Sequence, residues 1–331
     1  MKINRFLAIV TNLVTIFFLT TSTVVAQVTS ASYKLPRPVI SETHQLQKKS
    51  VEVLGSNMAY LETGTGEPVI FVHGNPSSSY LWRNVMPYIS PQGRAIAVDL
   101  IGMGQSDKPD ISYTFEDQYR YFSAFVDALN VNKVTLVGHD WGATLAWEYA
   151  RRHPGRVRKL AFMEGVLPPA FPVPSFESMG EEMGNMFRAF KDPVKGHKLV
   201  VQDNMFIEKV LPGFVNRTLG EEAMRIYRAP FAKEEDRKPV LAWPRQVPIA
   251  GEPESTLNVL NAIGKFMGET NMPVLLMYAD PGVVVPPKAV DWYVKKIRGL
   301  ETAFLGQGLH FIQEDQPEAI GRALADWMRR N

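Results

Sequence analysis

Apolar residues in this chain form short runs separated by segments with helical periodicity. The runs Val69-Ile70-Phe71-Val72 and Val134-Thr135-Leu136-Val137 are typical of buried strands. Thr114-Phe115-Glu116-Asp117 forms a capping-box pattern and predicts a helix that continues to about Leu129. Because strands and helices alternate as far as Glu164, the pattern predicts an α/β fold with a mostly parallel central sheet and helices on both faces.

This alternation is interrupted in the middle of the chain. Between Val166 and about Val247 the sequence is rich in Pro, Gly, Met and helix formers, with no convincing strand. Strand patterns resume at Val274. We therefore predict an inserted helical cap at residues 166–247, between core segments 50–165 and 248–331.

The ends of the core carry two further patterns. Val51 to Leu54 and Met58 to Leu61 are expected to pair as a hairpin across Gly55-Ser56-Asn57. The last helix has an apolar face, formed by Ile320, Leu324, Trp327 and Met328.

The N-terminus resembles a targeting segment. Lys2 and Arg5 precede the uncharged stretch Phe6 to Leu19, and small residues lead to Ala26. This pattern predicts a signal peptide over residues 1–26, export to the periplasm and a polar arm at 27–49. Because no further charge occurs before Lys34, an uncleaved membrane anchor is the alternative.

Composition excludes several classes of function. The 331 residues are 45% hydrophobic, which is enough for one large domain with an insert. The predicted signal peptide holds two of the 36 basic residues and no acidic one, which leaves 34 of each charge and no reason to expect a nucleic-acid partner. With no cysteine, no metal-ligand spacing and no phosphate-binding loop, we expect no metal and no cofactor.

The segment Gly138-His139-Asp140-Trp141-Gly142 joins a predicted strand to a predicted helix at Ala143 to Ala150. This is the context of a nucleophile elbow, in which glycines permit close backbone approach. A carboxylate nucleophile at Asp140 suits attack on saturated carbon with a good leaving group, because it forms an ester that water then hydrolyses. Taken alone, the pattern also fits a structural turn.

Two donors flank the predicted nucleophile. Asn75, in His73-Gly74-Asn75-Pro76, carries a side-chain NH₂, and Trp141 carries an indole N–H. Considered separately, Asn75 fits the role of a turn cap and Trp141 that of a core aromatic residue. Together beside Asp140 they favour a site for a weakly basic anion such as a halide, and their backbone N–H groups favour an oxyanion hole.

The base that activates water is assigned by elimination. His310 follows the predicted strand Thr302 to Leu305 and the loop Gly306-Gln307-Gly308-Leu309, in an order that resembles α/β-hydrolases. The others occupy the N-terminal arm, the oxyanion loop, the elbow, a helix end and the insert: His44, His73, His139, His153 and His197. Strand alternation predicts that His139 points away from the nucleophile.

The acid that orients His310 has two candidates. Glu164 ends the strand Leu160 to Met163, and Asp280 follows the strand Val274 to Tyr278. Either carboxylate has a suitable position to hold the imidazole.

From Val51 to Met328 the chain resembles the haloalkane dehalogenases, and more narrowly the subfamily with asparagine and tryptophan as halide donors. The motifs that carry this resemblance are His73-Gly74-Asn75-Pro76, Ser79-Tyr80-Leu81-Trp82-Arg83, Asp99 to Ser106, Gly138 to Gly142, Phe162-Met163-Glu164 and Gly308 to Asp315. The resemblance implies an α/β-hydrolase fold, with Asp140 as nucleophile, His310 as base and Glu164 as acid.

The same resemblance implies a pocket in the cap. Phe206 and Pro244 are expected near the halide, and Phe187, Phe190 and Val284 along the substrate cavity. Some of these residues also suit simple helix packing. The implied reaction converts a halogenated hydrocarbon and water into a primary alcohol, a halide and a proton through a covalent alkyl-aspartate ester.

Three alternatives remain open. An epoxide hydrolase uses the same aspartate elbow but needs cap tyrosines, and Tyr227 is the only tyrosine between Val166 and Val247. Coelenterazine luciferases share the elbow and both donor types. A non-enzyme alternative is a silent α/β-hydrolase that acts as a small-molecule receptor, for which an intact set of catalytic residues is not needed.

Overall fold

The computed structural model describes residues 40–44 and 46–331. The predicted signal peptide, and with it the prediction of export or anchoring, lies outside the described residues. Within the described ranges, no helix has both the length and the apolar character required to cross a membrane.

An eight-stranded sheet forms the centre of the molecule. Its strands, named β1 to β8 in chain order, are Lys49–Val53, Ser56–Thr63, Pro68–Val72, Arg94–Val98, Val134–His139, Val157–Met163, Val274–Pro281 and Glu301–Gly308. They lie in the order β1-β2-β4-β3-β5-β6-β7-β8. Only the β1–β2 and β2–β4 pairs are antiparallel, which confirms the predicted mostly parallel sheet.

The helices of eight or more residues in the described ranges are named α1 to α8. They are Phe115–Ala128, Trp141–Arg152, Glu181–Lys191, Glu221–Arg228, Lys238–Gln246, Glu254–Glu269, Pro287–Lys296 and Pro317–Arg330. The predicted capping box at Thr114 and Asp117 is confirmed, because each side chain bonds the other residue's backbone N–H. Ile320, Leu324 and Trp327 of α8 are fully buried, as its apolar pattern predicts.

Shorter helical turns complete the structure. Single α-helical turns occupy Met86–Ile89, Pro193–Gly196, Leu211–Gly213 and Ile312–Asp315. The 3₁₀ turns are Ser79–Trp82, Glu177–Met179, Ala229–Phe231 and Glu235–Arg237, and π-helical segments occupy His197–Gln202 and Phe206–Val210.

The segment between β6 and β7 is helical, and every residue of it is described. It contains α3 to α6, and its β-type pairing is limited to isolated bridges of Ile249 with Val173 and with Glu252. This helical segment is called the cap below, and the bounds 166–247 given to it by the sequence remain a prediction. Helix α5 of this insert reaches the functional site described below.

The hairpin connection and the loop before His310 differ from the sequence prediction. The hairpin turns at Leu54 and Gly55, both with positive φ, so the connection is a two-residue turn matched to strand twist rather than the three residues expected. Strand β8 continues through the predicted loop to Gly308, because Gly306 at φ +95° accommodates a shift in its register with β7.

Candidate active site

Asp140 occupies the sharp turn between β5 and α2. Its backbone has φ 54° and ψ −128°, a conformation that costs a non-glycine residue about 1–3 kcal/mol. A Cβ at Gly138 would lie 2.4 Å from the Ala143 Cα, and one at Gly142 would lie 2.2 Å from the Val72 carbonyl oxygen. These contacts confirm the close backbone approach expected from the elbow pattern.

The Asp140 carboxylate is held on one side by backbone donors. The Asn75 N–H donates to Asp140 Oδ1 at 2.8 Å, and the neighbouring Trp141 N–H helps to lower the pKa of this carboxyl. A Cβ at Gly74 would lie 2.0 Å from Oδ1, so this approach requires glycine. One carboxylate oxygen is thereby fixed in the predicted oxyanion hole.

The other carboxylate oxygen faces His310. Asp140 Oδ2 lies 3.4 Å from His310 Nε2, and Glu164 Oε2 lies 3.1 Å from His310 Nδ1. The fully buried Glu164 also accepts hydrogen bonds from the backbone N–H groups of residues 283–285. These bonds fix the position of the Glu164 carboxylate, and the His310 imidazole lies between Glu164 and Asp140.

The two carboxylates control the ionisation of His310. Burial alone lowers the pKa of His310, but hydrogen bonds and charge attraction from Asp140 and Glu164 outweigh it and raise this pKa to about 9. Burial raises the pKa of Asp140, but the His310 contact dominates and leaves it below its usual range. The resting site at neutral pH is thus an aspartate–imidazolium pair.

Asp280, the alternative acid, does not reach His310. Its side chain is exposed, and its Oδ2 is 3.5 Å from the Gln307 amide nitrogen. Strand β7 extends beyond its predicted end, so alternation buries Ala279 and turns Asp280 outward. Of the two candidates, Glu164 alone makes the orienting contact.

His139 lies closer to the predicted catalytic residues than strand alternation suggested. Its ring packs 4.7 Å from the His310 ring, centroid to centroid, and its Nε2 is 2.8 Å from the His310 carbonyl oxygen. Because a carbonyl only accepts, Nε2 must carry the proton. Burial lowers the pKa of His139 to about 3, so it stays neutral and supports the backbone of His310.

The two predicted halide donors lie where the cap meets the core. Asn75 is buried, and its Nδ2 donates to the Val240 carbonyl oxygen of α5 at 3.2 Å. The Trp141 indole is buried and stacks on Trp243, with ring centroids 4.9 Å apart. The resemblance implied that Trp243, like Pro244, lines the pocket, whereas nothing in the sequence distinguished Val240 from helix core.

Aromatic cap residues form a connected cluster. The Phe190 ring lies 5.1 Å from Phe206 and 5.9 Å from Phe187. Pro244 is buried within α5 and directly follows Trp243. The backbone N–H of Val284 bonds Glu164, which places this residue beside the acid. The roles of these residues as pocket lining remain predictions.

Tyr227 is bound in a buried polar network. Its hydroxyl donates to Glu314 Oε1, and the same carboxylate forms a two-pronged ion pair with Arg83 at 2.6 and 2.8 Å. Burial and the negative charge of Glu314 raise the pKa of Tyr227 well above its usual value. A hydroxyl engaged in this way is not free to protonate an epoxide, so the epoxide hydrolase alternative has no support from Tyr227.

The network also links the cap to the segment after His310. Arg217 Nη2 pairs with Glu314, and the Phe311 N–H donates to the Phe214 carbonyl oxygen at 3.1 Å. Glu314 lies within one of the sequence motifs quoted above, but its partners are more than 80 residues away in the chain. The sequence pattern therefore carried no signal for this arrangement.

Comparisons with known proteins agree with the fold. A family model described as alpha/beta hydrolase fold matches residues 67–317. A haloalkane dehalogenase of Mesorhizobium japonicum is 43% identical over 299 residues, covering 88% of this chain and 94% of that protein. One of Bradyrhizobium diazoefficiens is 42% identical over 298 residues, covering 87% and 96%.

A solved structure shows the same similarity. The crystal structure of haloalkane dehalogenase DbeA from Bradyrhizobium elkani USDA94 matches with a TM-score of 0.83 and 44% identity, covering 86% of this chain and 98% of that one. The range matched by the family model, residues 67–317, includes Asp140, Glu164 and His310. The chain belongs to the haloalkane dehalogenases, a family with the α/β-hydrolase fold.

Proposed function

We propose that this protein hydrolyses carbon–halogen bonds of haloalkanes through a covalent ester on Asp140. The observation that supports this proposal is that the two carboxylate oxygens of Asp140 have different neighbours. The Asn75 backbone N–H holds Oδ1 at 2.8 Å, whereas Oδ2 lies 3.4 Å from His310 Nε2. A carboxylate held in this way has one oxygen prepared for attack and the other prepared to become an oxyanion.

In the first step, Asp140 Oδ2 attacks the halogen-bearing carbon, and the carbon–halogen electron pair leaves with the halide. The donors proposed for the halide are the side-chain N–H groups of Asn75 and Trp141. Both residues are buried, and a site from which water is excluded strengthens hydrogen bonds to an anion.

In the second step, the imidazolium of His310 releases its proton to solvent once the ester has removed the Asp140 charge. The neutral imidazole then takes a proton from water, and the resulting hydroxide attacks the carboxyl carbon of the ester. Negative charge then develops on Oδ1, which already accepts the Asn75 backbone N–H and for which the Trp141 backbone N–H is the second proposed donor. Glu164 keeps the imidazole oriented and stabilises its protonated form. Collapse of this intermediate releases the alcohol and restores the Asp140 carboxylate.

The two steps require different residues, which gives a direct test. With 1,2-dibromoethane, His310→Phe is expected to release one bromide per enzyme and retain one 2-bromoethyl group on Asp140, as measured by intact and peptide mass spectrometry. Asp140→Ala is the matched control and should form no adduct. A His310→Phe protein without adduct or bromide release would contradict the proposal, and tight ligand binding without bromide release would favour the receptor alternative.

A further inference from the structure

Helix α5 of the cap presents an unusual backbone acceptor to the core. The Val240 carbonyl oxygen accepts a hydrogen bond from Asn75 Nδ2 at 3.2 Å, across 165 positions of sequence. In an α-helix this carbonyl would normally accept from the N–H of the residue four positions later. That residue is Pro244, which lies inside the same helix.

Proline has no backbone N–H, so α5 cannot supply the usual partner to Val240. A buried carbonyl without a partner costs about 1–3 kcal/mol, and the Asn75 amide supplies the missing donor. Pro244 therefore removes one hydrogen bond from α5, and the Asn75 side chain of the core replaces the missing donor.

This contact determines how the Asn75 amide is oriented. Because a carbonyl only accepts, the NH₂ group must face Val240, and the amide oxygen is directed elsewhere. That oxygen, Oδ1, is buried and has no hydrogen-bond partner among the described residues. The Asn75 backbone N–H is meanwhile bound to Asp140 Oδ1, so both ends of this residue are restrained.

We propose that Pro244 is a positioning residue for the halide donor Asn75. By leaving the Val240 carbonyl free, it draws one N–H of the amide to α5 and leaves the second N–H for the departing halide. This inference rests on the proposed function, because it takes Asn75 to be a halide donor. It assigns to Pro244 an action through the helix backbone, separate from contact between its ring and the ligand.

Pro244→Ala should weaken this arrangement. Alanine restores the N–H at position 244, which then competes with Asn75 for the Val240 carbonyl. The amide is released to turn, and its oxygen can face the anion. Loss of one ordered hydrogen bond of about 1 kcal/mol corresponds to roughly fivefold weaker bromide binding.

The experiment is a double-mutant cycle on bromide affinity, measured by isothermal titration calorimetry on the full chain. Asn75→Ala removes a donor to a charged ligand and should weaken binding by about tenfold or more. In that background, Pro244→Ala should have no further effect, because there is no amide left to position. If Pro244 acts through ring contact alone, its effect will be equal in both backgrounds, and the inference is overturned.

Pro239→Ala is the matched control, because it is the same substitution in the first turn of the same helix, where N–H groups have no helix partner to capture. It should leave bromide affinity unchanged, and thermal unfolding of each variant reports its fold. A bromide affinity that is unaffected by Asn75→Ala would refute the proposed halide donor itself. An effect of Asn75→Ala with none of Pro244→Ala would refute only the positioning role.

Discussion

The ionisation of His310 is expected to change during turnover, and Asp140→Asn isolates the cause. In the resting enzyme His310 lies between two carboxylates, and its pKa is raised to about 9. Formation of the alkyl ester converts Asp140 from an anion into a neutral group. Asparagine reproduces this loss of charge with nearly the same shape, so the variant represents the alkylated site.

The magnitude follows from the distance between the two groups. Unit charges 3.4 Å apart, as His310 Nε2 and Asp140 Oδ2 are, attract by about 5 kcal/mol at an effective dielectric constant near 20. At 1.36 kcal/mol per pKa unit, removal of the Asp140 charge should lower the pKa of His310 by about three and a half units, to between about 5 and 6. The imidazole would then be neutral at pH 7 and competent to accept a proton from water.

Titration of ¹⁵N-labelled histidine by NMR measures this directly, with the His310 signals assigned by their absence in His310→Phe. We expect a pKa for His310 near 9 in the wild type and between about 5 and 6 in Asp140→Asn. A pKa above about 8 in the variant would show that Glu164, rather than Asp140, raises the pKa of His310. A pKa of His310 below 7 in the wild type would contradict the starting point that the two carboxylates raise it.

The same shift has a consequence for stability. Because the folded-state pKa of His310 is raised above the usual 6.5, the stabilisation is fully present below about pH 6.5 and is lost as pH rises through about 9. The shift corresponds to about 3 kcal/mol. Denaturant unfolding of the wild type should show this loss, whereas Asp140→Asn should not lose stability over the same pH range.

Two further predictions concern geometry. Glu164→Gln should lower the turnover number by about 10²- to 10⁴-fold, because an amide cannot accept hydrogen bonds from His310 and from the backbone N–H groups together. Asp280→Asn should retain near wild-type halide release. The reverse pattern would identify Asp280 as the acid. Gly74→Ala places a Cβ 2.0 Å from Asp140 Oδ1 and should abolish ester formation in a folded protein. Gly213→Ala meets no atom within 4 Å and should be neutral, so equal activity of the two variants would contradict the close approach.

Local patterns were sufficient for the features that depend on neighbours in the chain. The elbow at Asp140 and the capping box at Thr114 are set by residues within a few positions of one another, so short-range sterics and hydrogen bonding determine them. The order of strands and helices followed from the spacing of apolar runs. The exact ends of strands did not, because Gly306 permits a register shift that depends on the partner strand.

Tertiary structure decided which of several plausible residues meet. Glu164 and His310 are 146 positions apart, and the contact between them, with Asp280 turned outward, depends on where β7 ends. The Asn75 amide is oriented by a carbonyl of α5 that only a proline leaves free. The sequence by itself thus determined the type of nucleophile and the likeness to a family, whereas long-range packing determined the acid, the ionisation of the base and the orientation of the proposed halide donor. The physical reason is that charge, burial and hydrogen bonding act through distances in space, which spacing along the chain does not record.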